Sequence, residues 1–101
     1  MIDVVLEDEA GQAIRRLSGE EALSPTWLPG KSDLRYRCLC FVDPYGDTIF
    51  NQLQAEVLLQ ELTLLKAEAA NPRLAKVIEA TRELAKLCLQ EPHQYLRFVG
   101  D

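Results

Sequence analysis

The stretch Ala55–Gln90, AEVLLQELTLLKAEAANPRLAKVIEATRELAKLCLQ, decides the fold class of this chain. In its first part apolar residues recur at Leu58, Leu62, Leu65 and Ala69, and Val57, Leu59 and Leu64 widen the stripe. That spacing is one face of an α-helix. Asn71-Pro72 then resets the chain, because Asn is a good N-cap and Pro is favoured at the first helical position. From Pro72 to Gln90 the apolar face runs through Leu74, Val77, Ile78, Thr81, Leu84, Ala85 and Cys88. The opposite side carries Lys76, Glu79, Arg82, Glu83 and Lys86, with Glu79–Arg82 and Glu83–Lys86 spaced to pair at i,i+3. The pattern predicts helices over 55–69 and 72–90. The short break between them favours an antiparallel hairpin, and Glu91-Pro92 ends the second helix.

Two apolar helix faces need a covering layer, and the flanking sequence offers strands. Ile2, Val4 and Leu6 alternate at period two. Gly11 supplies a turn, and Ala13–Leu17 returns as a second strand in which Arg15-Arg16 weaken the pattern. Ser18–Lys31 is broken by Gly19, Pro25, Pro29 and Gly30 and reads mostly as loop, with a helical turn at Gly19–Leu23. Trp27 and Leu28 are expected to fold back and cap the core. Leu34–Val42 reads as the clearest strand, with Leu34, Tyr36, Cys38 and Cys40 on one face and Arg35, Arg37, Leu39 and Phe41 on the other. Asp43-Pro44-Tyr45-Gly46 is a strong β-turn. Asp47–Leu53 is expected to pair back as the second arm of a hairpin spanning 34–54, in preference to a helix starting near Asn51. His93–Val99 closes the chain as a strand. The expected architecture is α+β: one domain over 1–101, a two-layer sandwich of an antiparallel sheet of about four or five strands with the helical hairpin on one face.

The 101 residues leave no room for a second core. At 48% hydrophobic and 27% charged the chain is close to the globular average, so global disorder, collagen and coiled coil are excluded. Acidic residues outnumber basic ones 16 to 11, for a net charge of −5. Nucleic-acid binders draw most of their affinity from Lys and Arg on phosphates, so the balance argues against that partner. Residues 1–33 hold seven acidic and three basic side chains, and Glu7-Asp8-Glu9 is where a basic partner would be sought. No basic leader followed by an apolar run and no apolar run of about 18 residues appears, and three cysteines do not close a disulfide framework. A reducing, cytoplasmic setting with no membrane contact is the expectation.

Phe41-Val42-Asp43-Pro44-Tyr45-Gly46-Asp47-Thr48-Ile49-Phe50-Asn51-Gln52-Leu53-Gln54, followed at the end by Tyr95-Leu96-Arg97-Phe98-Val99-Gly100-Asp101, resembles a pattern in small, uncharacterised bacterial proteins. The resemblance covers roughly residues 35–101 and leaves the N-terminal third unmatched. It implies a stand-alone small bacterial domain and carries over no activity, cofactor or catalytic residue.

Four groups of residues could carry chemistry. Asp43, Asp47 and Asp101 could gather oxygens for a hard cation or an acid/base pair, although Asp at the start of a turn ordinarily bonds its own backbone. Cys38 and Cys40, with Cys88 and His93, could ligate zinc, but three thiols facing one core is the simpler account. His93 reads as a strand-end residue rather than the base of a Cys–His pair. Arg35 and Arg37, joined by Arg97 and by Tyr45 or Tyr95, could form a basic, aromatic patch on the sheet face away from the helices. No nucleophile elbow, P-loop, dinucleotide fingerprint or zinc-protease motif occurs. The leading expectation is a non-enzymatic interaction module that uses no cofactor and acts through a protein partner or its own dimer. The alternative is a small-molecule binder or enzyme with its site near the Asp43–Asp47 turn and Trp27.

Overall fold

In the computed structural model, which describes all 101 residues, Val4 and Leu6 turn to one side of strand β1 (Asp3–Glu7) and join the core, as their alternation predicts. Asp8 closes the following turn, its Oδ1 accepting the Ala10 and Gln12 amides at 2.9 Å each, while Gly11 takes φ +80°. The chain returns as β2 (Ala13–Leu17), antiparallel to β1. Leu23 makes an isolated bridge with Ile2, donating to its carbonyl at 2.9 Å and accepting from its amide at 2.7 Å. Trp27 lies in a 3-10 turn, partly buried against the core, as expected.

Strand β3 (Asp47–Phe50) leads into helix α1 (Gln52–Ala67), α2 (Pro72–Gln90) and β4 (Tyr95–Val99). The sheet order is β2-β1-β4-β3, antiparallel throughout, so β1 and β4 are central and β2 and β3 are edges. The two helices pack on each other, and α2 touches β1, β2 and β4. Their inward residues, among them Ala55, Leu58, Leu62, Ile78, Leu84 and Cys88, share one core with Leu96, Phe98 and Phe50. The Phe50 and Phe98 rings meet edge to face at 5.6 Å. The fold is α+β, a four-stranded antiparallel sheet with two packed helices against one face.

The helix stops and starts follow their caps. Asn71 Oδ1 accepts the Leu74 amide at 2.8 Å, with Pro72 in the first turn. Both expected i,i+3 ion pairs of α2 form. Helix α1 begins three residues before its expected start at Ala55, because Asn51 and Gln54 make a reciprocal capping box. The strand expected to run to Leu53 therefore ends at Phe50.

The expected hairpin over 34–54 does not form. Leu34–Val42 contains no strand; it is irregular chain with a 3-10 turn at Leu39–Phe41. Strand β3 pairs with β4 instead. Buried residues in this segment fall at Tyr36, Cys38, Leu39 and Val42, which departs from the single-face alternation expected of it.

The turn before β3 is fastened to the end of β4. Gly100 donates to the Gly46 carbonyl at 2.8 Å, and Asp43 donates its amide to Thr48 Oγ1 at 3.0 Å. A Cβ on Gly100 would lie 2.5 Å from the Pro44 carbonyl carbon and 2.6 Å from the Asp43 carbonyl oxygen. Backbone cannot yield as a side chain can, so Gly100→Ala is expected to cost about 1–3 kcal/mol. At roughly 4–8 °C per kcal/mol for a domain of this size, calorimetry should record a clear drop in Tm. An unchanged Tm would mean that this contact does not constrain the turn.

Candidate functional site

The residues expected to form one basic, aromatic patch are dispersed. Arg35 is not on a strand. Its guanidinium binds Asp33 at 2.8 Å and Glu68 at 2.6 Å, and it lies over the Tyr36 ring at 5.4 Å. These carboxylates raise the Arg35 pKa, and Arg35 in turn holds Asp33 below its ordinary value. Arg37 extends from the same irregular segment. Arg35 and Arg37 line one shallow recess of about 350 Å³ with Val57, Gln60, Glu61 and Leu64. Tyr45 is exposed on the turn.

Arg97 does lie on the sheet face away from the helices, as does Tyr95. The register places Val5 between Arg16 and Arg97 there, with Tyr95 beside Glu7 and Ile49 beside Arg97. Arg97 Nε donates to Glu7 at 2.9 Å and its Nη1 to Asp47 at 2.9 Å, and both contacts raise its pKa. Arg16 binds Asp3 at 2.7 Å on the same face. Val5 is buried although no helix covers it, because the stems of the flanking arginines lie beside it. The outer face is thus a cross-strand ion-pair lattice over a narrow apolar floor, edged by half-exposed Ile14 and Ile49.

The carboxylates do not converge. Asp43 Oδ1 accepts the Tyr45 amide at 2.8 Å, Asp47 binds Arg97, and Asp101 binds the Met1 amine at 2.9 Å. Neither the Arg35–Arg37 recess nor a second one lined by Glu20, Arg73 and Lys76 includes Trp27, Asp43 or Asp47. Within the acidic turn, Glu7 is committed to Arg97 and Asp8 to its own backbone; only Glu9 points to solvent, with His93 at 3.8 Å. The strand expected from His93 begins only at Tyr95; His93 itself precedes it at φ +64°, a left-handed conformation that no strand holds, and is exposed.

The cysteines divide as well. Cys38 and Cys88 are buried in the core and Cys40 is half-buried at the surface. No group of three or more His, Cys, Asp or Glu side chains is placed to hold a metal ion. Burial, aided by the nearby Glu61 carboxylate, pushes the Cys38 thiol up to about 11. Burial also raises Cys88 and Tyr36. Each folded value lies above the ordinary one, so this stabilisation is complete below pH 9 and is lost as pH climbs toward 11. Urea midpoints should fall over that window, and less steeply in Cys38→Ala; a flat profile would refute the assignment. Below that window, Ellman's reagent should label Cys40 alone in the native chain.

The residue that organises this region is Glu61, which lies among the inward leucines of α1. It is 5% exposed, and its carboxylate accepts the amides of Arg37 at 2.8 Å, Cys38 at 3.1 Å and Leu39 at 3.0 Å. In a strand successive amides point to opposite sides; here three consecutive ones converge on one anion, a nest. The sequence signal was a carboxylate one helical turn from both Leu58 and Leu65, inside the apolar stripe. Glu61→Ala would orphan these amides at a cost of about 2–4 kcal/mol. Glu61→Gln keeps one acceptor and should lose less. Denaturant melts that ranked the two equally would disprove the nest's contribution.

Compared with protein-family models, with curated proteins and with solved structures, the chain matches none. No helix is long and apolar enough to cross a membrane.

Proposed function

We propose that this chain is a small, non-enzymatic interaction module that works through a protein partner or through its own dimer. The observation that carries the reading is the uncovered outer face of the sheet. Helices bury one face only, while the other presents the half-exposed Ile14 and Ile49 at its two edges and Tyr95 among charges already neutralised in place. Arginine and tyrosine beside exposed aliphatic side chains are residue types enriched in protein contacts. Arg35 and Arg97, expected as binding residues, are occupied by internal carboxylates, and the Asp43–Asp47 turn lines neither the Arg35–Arg37 recess nor the one between Glu20 and Lys76. The resemblance to small bacterial proteins belongs to the same reading, as a stand-alone domain in a cytoplasmic setting.

Light scattering coupled to gel filtration tests the dimer. A dimer mass at tens of micromolar, reverting to monomer in Ile14→Glu, is expected if the outer face meets a second copy. For a foreign partner, a pull-down from the source lysate should return a protein that Ile14→Glu no longer retains. A clean monomer together with an empty pull-down would overturn the reading.

A further inference from the structure

We infer that the free edge of β3 is a docking site for an extended segment of a partner protein with alternating apolar and basic side chains. This deepens the interaction reading and rests on it.

The hydrogen-bonding pattern sets which groups are available. Gly100 donates to the Gly46 carbonyl across the β3–β4 ladder, and the register pairs Thr48 with Phe98 and Phe50 with Leu96. Bonded pairs alternate along an antiparallel ladder, so Gly46, Thr48 and Phe50 turn their backbone groups to β4. Asp47 and Ile49 turn theirs outward. No turn, loop or side chain takes the N–H or C=O of either residue. The edge therefore presents two donors and two acceptors at the spacing of a missing strand.

The two sheet edges differ in how they are protected. Proteins guard open edges with charged side chains, and β2 carries Arg15 and Arg16. Strand β3 carries one charged side chain, Asp47, and Arg97 already neutralises it. Around it the chain exposes large apolar side chains instead: Phe41 at 73%, Tyr45 at 84%, Ile49 at 50% and Leu53 at 82%. These are four of the seven large hydrophobics exposed on the whole molecule, and they fall within thirteen residues centred near the strand.

Charge selects the occupant. From Cys38 to Leu65 there is no Lys, Arg or His, against four carboxylates, Asp43, Asp47, Glu56 and Glu61. Glu61 is consumed by the nest and Asp47 by Arg97, while Asp43 and Glu56 are exposed with no ion-pair partner. A second copy presenting the same edge would bring like charges together. A strand with Lys or Arg alternating with apolar residues would set its bases on the outer face, beside Asp47 and the net negative Glu7–Arg97–Asp47 cluster, and its apolar side chains on the helix side beside Thr48 and Phe50, its backbone supplying the missing ladder.

The test uses the full chain and a synthetic octapeptide alternating valine and lysine, with a valine–glutamate octapeptide as control. Isotope-edited NMR should show saturable one-to-one binding of the lysine peptide, with amide exchange at Ile49 slowed by about tenfold or more. Raising salt from about 0.05 M to about 0.5 M should weaken binding severalfold. The glutamate peptide should bind at least about tenfold less tightly. Ile49→Pro deletes an outward donor without touching the β4 ladder and should weaken the lysine peptide about tenfold. The exchange measurement on the unsubstituted chain stands alone if that variant does not fold. Equal affinity for both peptides, perturbation confined to other surfaces, or protection of Ile49 by self-association alone would each overturn the inference. Should the lysine peptide fail while the chain still associates through Ile14, the edge proposal falls and the interaction reading survives; should both fail, both fall.

Discussion

The first and last strands meet at the centre of the sheet, and the rest of the structure depends on that pairing. Strand β1 has β2 on one side and β4 on the other, and β3 reaches the sheet only through β4. The sheet surface that the helical pair covers exists only once Val4, Leu6, Leu96 and Phe98 stand side by side. The register brings together residues some 90 positions apart, and Arg97 fixes it on the outside by binding Glu7 of β1 and Asp47 of β3 at once. Loops of that length must close before their contacts are rewarded, so the helical hairpin, with its local contacts and its capping residues, is the part suited to form first.

Local chemistry made much of this legible. The bounds of α2 followed from Asn71, Pro72 and Glu91-Pro92, and β1, the Gly11 turn, the 3-10 turn at Gly19–Glu21 and the inward faces of β4 followed from spacing. The failure at Leu34–Val42 has one cause. Alternating side chains suggested a strand, but the backbone amides of Arg37, Cys38 and Leu39 had a better acceptor in Glu61, more than twenty residues downstream. Periodicity reads side chains; it does not see where amides go.

The candidate site was legible in its residue types and not in its grouping. Of the candidate arginines, tyrosines and aspartates, only Tyr95, Arg97 and Asp47 share the outer sheet face. Net charge misled in the same way. A total of −5 distributed over the sequence says little about which carboxylates remain free once Arg16, Arg35 and Arg97 have taken theirs.

The nest under Glu61 also governs which substitutions this region can absorb. Its three donors are backbone amides, which nearly every residue type possesses. The exposed side chain of Arg37 is therefore open to replacement without loss of the turn, provided proline is avoided, while Leu39 is restricted only by the space it fills. The acceptor has no such latitude. The path of the backbone through Arg37–Leu39 is thus held by a single position in another element, and its shape would be inherited through Glu61 more than through the side chains of the three residues themselves.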